Sequence, residues 1–129
     1  MSSLSQSCII LNKPSGISSN DALSKVKKKL NQKKAGYSGT LDPLASGVLI
    51  IFFNKATKLC SYFLNADKTY NVVARFGQIS DTGDLDGEIV KHNAQVSLNN
   101  IDLNILENKY TGIVSQTPPM YSALKYKGV

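Results

Sequence analysis

The stretch Gly36-Tyr-Ser-Gly-Thr-Leu-Asp-Pro-Leu-Ala-Ser-Gly-Val-Leu-Ile-Ile, residues 36–51, decides how the rest of the chain is interpreted. It predicts a loop rich in glycine and hydroxyl groups that leads into an apolar strand at residues 48–53. The loop carries one carboxylate, Asp42, and the following Pro43 favours an extended backbone at that residue. Spacing alone fits two interpretations of Asp42. It is a turn residue, because Asp-Pro is common turn chemistry, or a reactive group held at the mouth of a buried strand.

The sequence outside this stretch mixes strand and helix patterns. Residues 8–11 predict a short buried strand, and residues 20–32 predict an amphipathic helix with Ser18 or Ser19 as its N-cap. Because the two kinds of element mix without regular βαβ spacing, we predict an α+β fold. The further predicted elements are a helix at about 56–64, an alternating strand at 68–76, a helix capped by Ser97 that runs to about 108, and strands at 111–115 and 120–126.

Composition limits the class of protein. A chain of 129 residues with 42% hydrophobic residues is long enough for one domain with a buried core. Its longest apolar run is too short to cross a bilayer, and its polar N-terminus lacks a signal-peptide pattern, so we expect no membrane partner. Cys8 and Cys60 lie far apart and form no CxxC motif. This usage predicts a reducing, cytoplasmic location, with neither a structural disulfide nor a metal site.

The net charge of +6 is unevenly distributed along the chain. Six lysines fall within residues 25–34, whereas four acids cluster within residues 81–88. A lysine run on a helix is often only a solvated face. This run continues through Lys33 and Lys34 directly towards the Asp42 loop, so we predict a rim that contacts the phosphates of RNA.

Four motifs in collinear order resemble the TruB family of pseudouridine synthases. The resemblance covers residues 9–127 and implies a pseudouridine synthase fold, with a mixed or antiparallel sheet flanked by helices and loops. It also implies a tRNA pseudouridine-55 synthase, an isomerase that flips the T-loop uridine of tRNA and uses no cofactor. The motifs are Leu11-Asn-Lys-Pro-Ser-Gly-Ile-Ser-Ser-Asn-Asp; Gly39-Thr-Leu-Asp-Pro-Leu-Ala-Ser-Gly-Val-Leu; Asp67-Lys-Thr-Tyr-Asn-Val with Arg75-Phe-Gly-Gln and Asp81-Thr-Gly-Asp-Leu-Asp-Gly; and Gln116-Thr-Pro-Pro-Met-Tyr-Ser-Ala-Leu-Lys.

The resemblance gives Asp42 the catalytic role, acting as a nucleophile on the target uridine. Tyr70 matches the tyrosine that stacks on the flipped base and helps to remove the C5 proton. Its alternation with Val72 also fits a core residue on a strand. Tyr37 stands where the family usually has histidine; it keeps a planar stacking face but cannot become cationic near neutral pH. The other predicted substrate-binding residues are Ser38, Gly39, Lys33 and Lys34.

Three positions receive supporting roles. Lys13 and Pro14 match the first motif, and we expect them to buttress the floor of the active site. Asp84 keeps two interpretations, either a carboxylate that holds an arginine near Asp42 or a residue of an acidic loop. The segment that begins at Thr82 resembles an EF-hand loop, but its first and last positions lack the required Asp and Glu, so we predict no calcium site.

The family continues well past residue 129. We therefore expect residues 1–129 to be the N-terminal part of a single catalytic domain, without the rest of that domain or a C-terminal RNA-binding domain. We expect the chain alone to be inactive, and a second chain is a candidate to complete its fold. A second hypothesis stays open, namely an RNA-binding or tRNA-folding module that grips a T-arm stem-loop without catalysis.

Overall fold

The computed structural model of the protein describes residues 6–85, 87–91, 97, 99 and 101–117. Contacts among residues divide the chain into two units, Met1–Tyr70 and Asn71–Val129. Strands and helices occur in both units, which confirms the predicted α+β class. Within the described part of the chain, every helix falls short of the length and apolar character needed to cross a bilayer.

The first unit is built on a three-stranded antiparallel sheet in the order β1-β3-β2. Strand β1 is Gln6–Lys13, β2 is Ala35–Ser38 and β3 is Gly47–Asn54. The apolar run of the quoted stretch becomes the central strand, because a strand flanked on both edges and covered on its faces favours large apolar side chains. Helix α1, Ser19–Lys29, connects β1 to β2. A 3₁₀ helix, Lys55–Leu59, and helix α2, Cys60–Leu64, follow β3.

One face of this sheet forms the core. Leu49, Ile51 and Phe53 alternate along β3, so their side chains point to the same face, and all three are fully buried. Helix α1 covers them with Ala22 and Leu23. Burying each large side chain stabilises the fold by about 1.5–3 kcal/mol, so this small cluster fixes how α1 lies on the sheet.

The opposite face of the sheet is only partly covered. Helix α2 places the Phe63 ring 5.4 Å from the Phe52 ring, measured between centroids. Gly36 on β2 allows this approach, because a Cβ atom there would lie 3.4 Å from Cys60 Sγ. Ile10, on the same face, remains 74% exposed. The sheet therefore has one well-packed face and one face that α2 covers near Phe52.

The start of α1 follows the capping prediction. Ser18 Oγ accepts a hydrogen bond from the Asp21 amide at 3.0 Å and donates one to Asp21 Oδ2 at 2.6 Å. These hydrogen bonds, with a smaller contribution from the nearby charge of Lys25, hold the pKa of Asp21 below its ordinary value. The Ser18 cap therefore fixes where the helix begins, immediately after the turn that follows β1.

Lys13, the last residue of β1, is a fully buried lysine. Its ammonium group donates to the carbonyl oxygens of Ile17 at 2.7 Å, Pro14 at 3.0 Å and Pro43 at 3.3 Å. A lysine has three N–H donors, and three carbonyls match them, which is the condition under which a buried ammonium is tolerated. The side chain thereby ties the end of β1 to the loop that carries Asp42, as expected of a buttress.

The second unit contains a two-stranded antiparallel hairpin and a helix. Strand β4 is Gln78–Ser80, β5 is Ile89–Lys91, and helix α3 is Leu103–Tyr110. Asp102 caps α3, since its Oδ1 accepts hydrogen bonds from the amides of Asn104 at 2.9 Å and Ile105 at 3.4 Å. The large apolar side chains described in this unit are exposed, so the unit has little core of its own.

Several predicted elements are wrong. The alternating segment at residues 68–76 forms no strand, because an isolated strand needs a neighbour for its backbone hydrogen bonds and the described part of the chain offers none; Val73 is 99% exposed. The helix predicted from Ser97 begins at Leu103 instead, and residues 111–115 are not a strand. The helix at 56–64 begins as a 3₁₀ helix, and residues 36–38 lie on β2 rather than in a loop. The strand at 120–126 lies outside the described residues.

The two faces of the sheet predict different costs for the same substitution. Ile51→Ala removes a buried side chain and should lower the free energy of unfolding by about 2–5 kcal/mol. Ile10→Ala removes a mostly exposed side chain from β1 and should cost less than about 1 kcal/mol. Urea denaturation of both variants measures the difference. Equal losses would contradict the assignment of the core to the α1 face.

The buried ammonium of Lys13 predicts a second loss of stability. Lys13→Met keeps the length of the side chain but leaves carbonyl oxygens without their donors, so it should lower the free energy of unfolding by about 1–3 kcal/mol. Lys25→Met, on the exposed side of α1, is the matched control and should change it by no more than about 0.5 kcal/mol. A Lys13→Met variant as stable as this control would show that the three hydrogen bonds contribute nothing.

Candidate active site

The loop between β2 and β3 presents Asp42 to solvent, and the described structure leaves its side chain exposed. Gly39 opens the loop with φ +76°, in the left-handed region that favours glycine. A Cβ atom at Gly39 would meet Lys68 Cε at an ordinary 3.7 Å, so backbone conformation, and not lack of space, requires the glycine. The Ala45 amide closes a turn by donating to the Asp42 carbonyl at 3.1 Å.

The backbone on the N-terminal side of Asp42 is held by one buried hydroxyl. Ser19 Oγ accepts a hydrogen bond from the Leu41 amide and donates one to the Leu41 carbonyl, each at 2.9 Å. Ser19 is 1% exposed and is the first residue of α1. The same side chain therefore satisfies both backbone groups of the residue that precedes Asp42.

The backbone on the C-terminal side of Asp42 is held by the turn after β1. The Pro43 carbonyl accepts from the Gly16 amide at 2.8 Å and from Lys13 Nζ at 3.3 Å. The next carbonyl, of Leu44, accepts from Ser15 Oγ at 2.7 Å. Two chain segments, residues 13–19 and 41–44, are thus joined by hydrogen bonds on both sides of Asp42. An exposed carboxylate on such a fixed backbone is suited to bind or attack a second molecule.

The structure gives Tyr37 and Ser38 contacts inside the protein. Tyr37 lies opposite Ile51 on β3, and its half-buried side chain packs against the core. Ser38 Oγ donates to the Cys60 carbonyl at 3.0 Å, which links β2 to α2. Burial in this contact region raises the pKa of the Cys60 thiol. Both residues therefore support the sheet, and their predicted contacts with substrate stay predictions.

Tyr70 lies at the end of the first unit and is 63% exposed, so it is not a core residue. Lys68 fixes the chain nearby, because its Nζ donates to the carbonyls of Leu64 and Ala66, both at 2.8 Å. Lys68 also lies next to Gly39, and two residues of extended chain span at most about 7 Å. The backbone of Tyr70 is therefore close to that of a residue bordering the Asp42 loop.

Lys33 and Lys34 do not lie beside Asp42. The four residues of β2 separate them from Gly39, and a strand of that length spans about 13 Å. The Asn54 amide donates to the Lys34 carbonyl at 2.9 Å, which places Lys34 beside the end of β3, whereas the Asp42 loop precedes the start of β3. The expectation that the lysine run continues directly into the Asp42 loop is wrong, because a strand intervenes.

Asp84 lies in the acidic loop between β4 and β5. Its carbonyl accepts from Ser80 Oγ, and its carboxylate accepts from Thr82 Oγ1 at 2.6 Å. Asp81 Oδ1 likewise accepts from the Glu88 amide at 2.9 Å. These hydrogen bonds fit the interpretation of Asp84 as part of an acidic loop. In the residues that the structure describes, His, Cys, Asp and Glu side chains form no group of three or more placed to hold a metal ion.

Sequence reasoning missed three residues of the site. Ser15 and Ser19 stand inside the first motif, but a hydroxyl in a turn has many local partners, so sequence does not reveal a bond to a residue more than 20 positions away. Lys68 stands inside the motif that contains Tyr70, and its neighbour Gly39 lies equally far along the chain. Pro14, predicted as a supporting residue, contributes a carbonyl to Lys13.

Comparison with known proteins identifies the family of this chain. A family model for the TruB family pseudouridylate synthase N-terminal domain matches residues 27–129. Similar curated proteins include the tRNA pseudouridine synthase B of Methylococcus capsulatus, 48% identical over 93% of this chain and 54% of the relative. Another is that of Shigella boydii, 49% identical over 93% of this chain and 38% of the relative.

A solved structure shows the same relationship. A crystal structure of a Cbf5-Nop10-Gar1 complex matches 94% of this chain and 31% of that chain, with a TM-score of 0.62 and 29% identity. This match supports the predicted pseudouridine synthase fold. The chain spans about four-tenths to one-half of the length of the curated relatives it matches. On these matches, this chain belongs to the TruB family of pseudouridylate synthases.

Proposed function

We propose that this chain is part of a tRNA pseudouridine-55 synthase and supplies its catalytic aspartate. The observation that carries the proposal is the exposed Asp42 carboxylate, set between two backbone segments that hydrogen bonds hold in place. Relatives named tRNA pseudouridine synthase B support tRNA as the substrate, and the T-loop uridine is the target that this activity implies. Fixed backbone around an exposed nucleophile is the geometry that lowers the cost of orienting it.

The proposed reaction rearranges the target uridine without a co-reactant. The glycosidic bond between ribose C1′ and uracil N1 breaks, and the uracil turns within the site. A new bond then joins C1′ to C5, the C5 proton leaves, and N1 gains a proton, so the atoms of substrate and product are the same. Asp42 acts as the nucleophile on the uridine, at the ribose or the base, and is released when the new bond is complete.

We assign Tyr70 to the flipped base. Taking a base out of its stack costs a few kcal/mol, and stacking on an aromatic side chain returns about 1–3 kcal/mol. The exposed ring of Tyr70, two residues after Lys68 at the edge of the Asp42 loop, suits this role. Tyr37 is a weaker candidate for stacking because its side chain also packs against the core.

The proposed setting is the cytoplasm, where the two free cysteines, Cys8 and Cys60, would remain reduced. The chain matches a model of an N-terminal domain, which supports its interpretation as the N-terminal part of a catalytic domain. Exposed apolar residues at 72–73 and across α3 fit a fold that further chain completes, either from the same protein or from a second chain.

A second candidate function is an RNA-binding module that grips a T-arm stem-loop without turning over the target base. The observation that favours it is the span of the chain, which reaches only 54% of the Methylococcus capsulatus relative. The family arginine that pairs with the aspartate belongs to the portion beyond this span. The two candidates differ in one respect that is easy to measure, which is whether pseudouridine is formed.

The test uses a completed chain, here defined as residues 1–129 followed by the C-terminal part of the Methylococcus capsulatus relative. We expect the completed chain to convert the T-loop uridine of a T-arm stem-loop to pseudouridine. Asp42→Asn should reduce the rate by more than about 1,000-fold, because it removes the nucleophile while keeping the shape of the side chain. Release of tritium from uridine labelled at C5 measures the rate.

Asp21→Asn is the matched control, since Asp21 is also an exposed aspartate but hydrogen bonds to the Ser18 cap. It should leave the rate within about twofold of the parent. An Asp42→Asn chain that keeps the parent rate would overturn the assignment of the nucleophile. A completed chain that binds the stem-loop but forms no product would leave the RNA-binding module as the better function.

A further inference from the structure

Seven lysines gather at the end of the sheet opposite the Asp42 loop. They come from three segments that are far apart in sequence, and we name this surface the basic end. Between residues 22 and 66 the sequence contains eight lysines and a single acid, Asp42, so the basic end has no acidic residue from this part of the chain. Its members are Lys27, Lys28 and Lys29 in the last turn of α1, Lys33 and Lys34 before β2, and Lys55 and Lys58 in the 3₁₀ helix.

Hydrogen bonds hold the three segments of the basic end together. The Gln32 amide donates to the Lys27 carbonyl at 2.9 Å, which fixes the chain just after α1. The Gln32 side chain accepts from Asn54 Nδ2 at 3.2 Å, and the Asn54 amide donates to the Lys34 carbonyl at 2.9 Å. Since Lys55 follows Asn54 directly, the lysines of all three segments are carried on one connected backbone.

The basic end is separated from Asp42 by a defined distance. Helix α1 begins at Ser19, which bonds to Leu41, and ends at Lys29. Eleven helical residues span about 16 Å, and the four residues of β2 span about 13 Å along a parallel route. A ligand group held at Asp42 is therefore too far from the basic end to be contacted by these lysines.

We infer that the basic end is a second RNA contact surface, which binds backbone phosphates remote from the target uridine. The inference rests on the proposed function and extends it. Exposed lysines on a fixed scaffold attract phosphates without reading sequence, so this surface would position the stem of the RNA while Asp42 acts on its loop. Successive phosphates of a duplex strand lie a few ångströms apart, so a stem of about four or five base pairs spans the gap.

The test replaces one lysine from each segment in the completed chain, as Lys28→Gln, Lys34→Gln and Lys55→Gln together. All three side chains are exposed, so the fold should be unaffected. In an Asp42→Asn background, the slope of log K against log salt for a T-arm stem-loop should weaken by about 1 for each lossy lysine contact, or about 3 in total. In the active background, KM should rise at least about tenfold, with kcat within about twofold of the parent.

Two controls separate phosphate contact from other causes. The triple substitution to arginine keeps the charge and should restore the slope and KM. A loop RNA without its stem should bind the parent and the glutamine variant equally, because nothing then reaches the basic end. A glutamine variant with the parent's slope and KM would overturn the inference. A completed chain that makes no pseudouridine but shows the predicted slopes would overturn the proposed function and leave this surface standing.

A separate observation concerns Ser19. The geometry points to Ser19 as a positioning residue for Asp42, because one buried hydroxyl satisfies both the amide and the carbonyl of Leu41. Ser19 does not reach the substrate in this arrangement; it sets the backbone from which Asp42 projects. A displacement of about 1 Å in a reacting group is enough to lower a rate about 100-fold, so the hydroxyl should affect kcat more than KM.

Ser19→Ala in the completed chain should lower kcat by about 10- to 100-fold and leave KM within about threefold. The Leu41 amide should also exchange with solvent faster. Ser19→Thr keeps both the donor and the acceptor and should recover most of the rate. Thr57→Val is the matched control, since it removes another partly buried hydroxyl that donates to a backbone carbonyl, at 2.8 Å to Asn54. It should leave kcat unchanged.

Each outcome bears on one proposal. Faster exchange at Leu41 with an unchanged kcat would overturn the positioning role and leave the proposed function intact. An equal fall in kcat for Thr57→Val would also overturn it, because general loss of stability would then explain both variants. A parent chain without any activity would overturn the proposed function, and the positioning role would fall with it.

Discussion

The hydrogen-bonded junction between residues 13–19 and 41–44 is the interaction on which the rest of the site depends. Its two buried members, Lys13 and Ser19, direct every donor and acceptor described for their side chains to the backbone around Asp42 or to their own turn. Buried polar groups are stable only when they are paired, so loss of either segment would leave the other unsatisfied. Folding of β1 and α1 and placement of the Asp42 loop are therefore one event.

The same junction explains why an exposed carboxylate can have a defined position. Loops are usually more mobile than the elements they connect. Here the residues on either side of Asp42 are held by Ser19, Gly16 and Lys13, while the Asp42 side chain itself is free to face solvent. The core of Leu49, Ile51 and Phe53 supports this arrangement from below, because it fixes α1 on the sheet and with it the position of Ser19.

The geometry also divides recognition from chemistry. The Asp42 loop lies where β2 ends and β3 begins, and the basic end lies where β2 begins and β3 ends. Antiparallel pairing places these two features at opposite ends of the same strands. A long polyanion such as an RNA stem-loop can meet both at once, whereas a single nucleotide cannot. This separation is a reason to expect the length of the RNA, and not only the target uridine, to govern binding.

The sequence by itself determined the α+β class, the strands at residues 8–11 and 48–53, the Ser18 cap and the motifs that contain Asp42, Tyr70 and Lys13. These follow from local periodicity, capping chemistry and residue order, all of which are written in neighbouring positions. Only the tertiary structure decided that β2 separates Lys34 from Gly39, that Ser19 bonds to Leu41, and that residues 68–76 remain unpaired. The physical reason is that each of these depends on partners more than 20 residues away, or on the lack of a neighbouring strand, and local pattern carries no record of such partners.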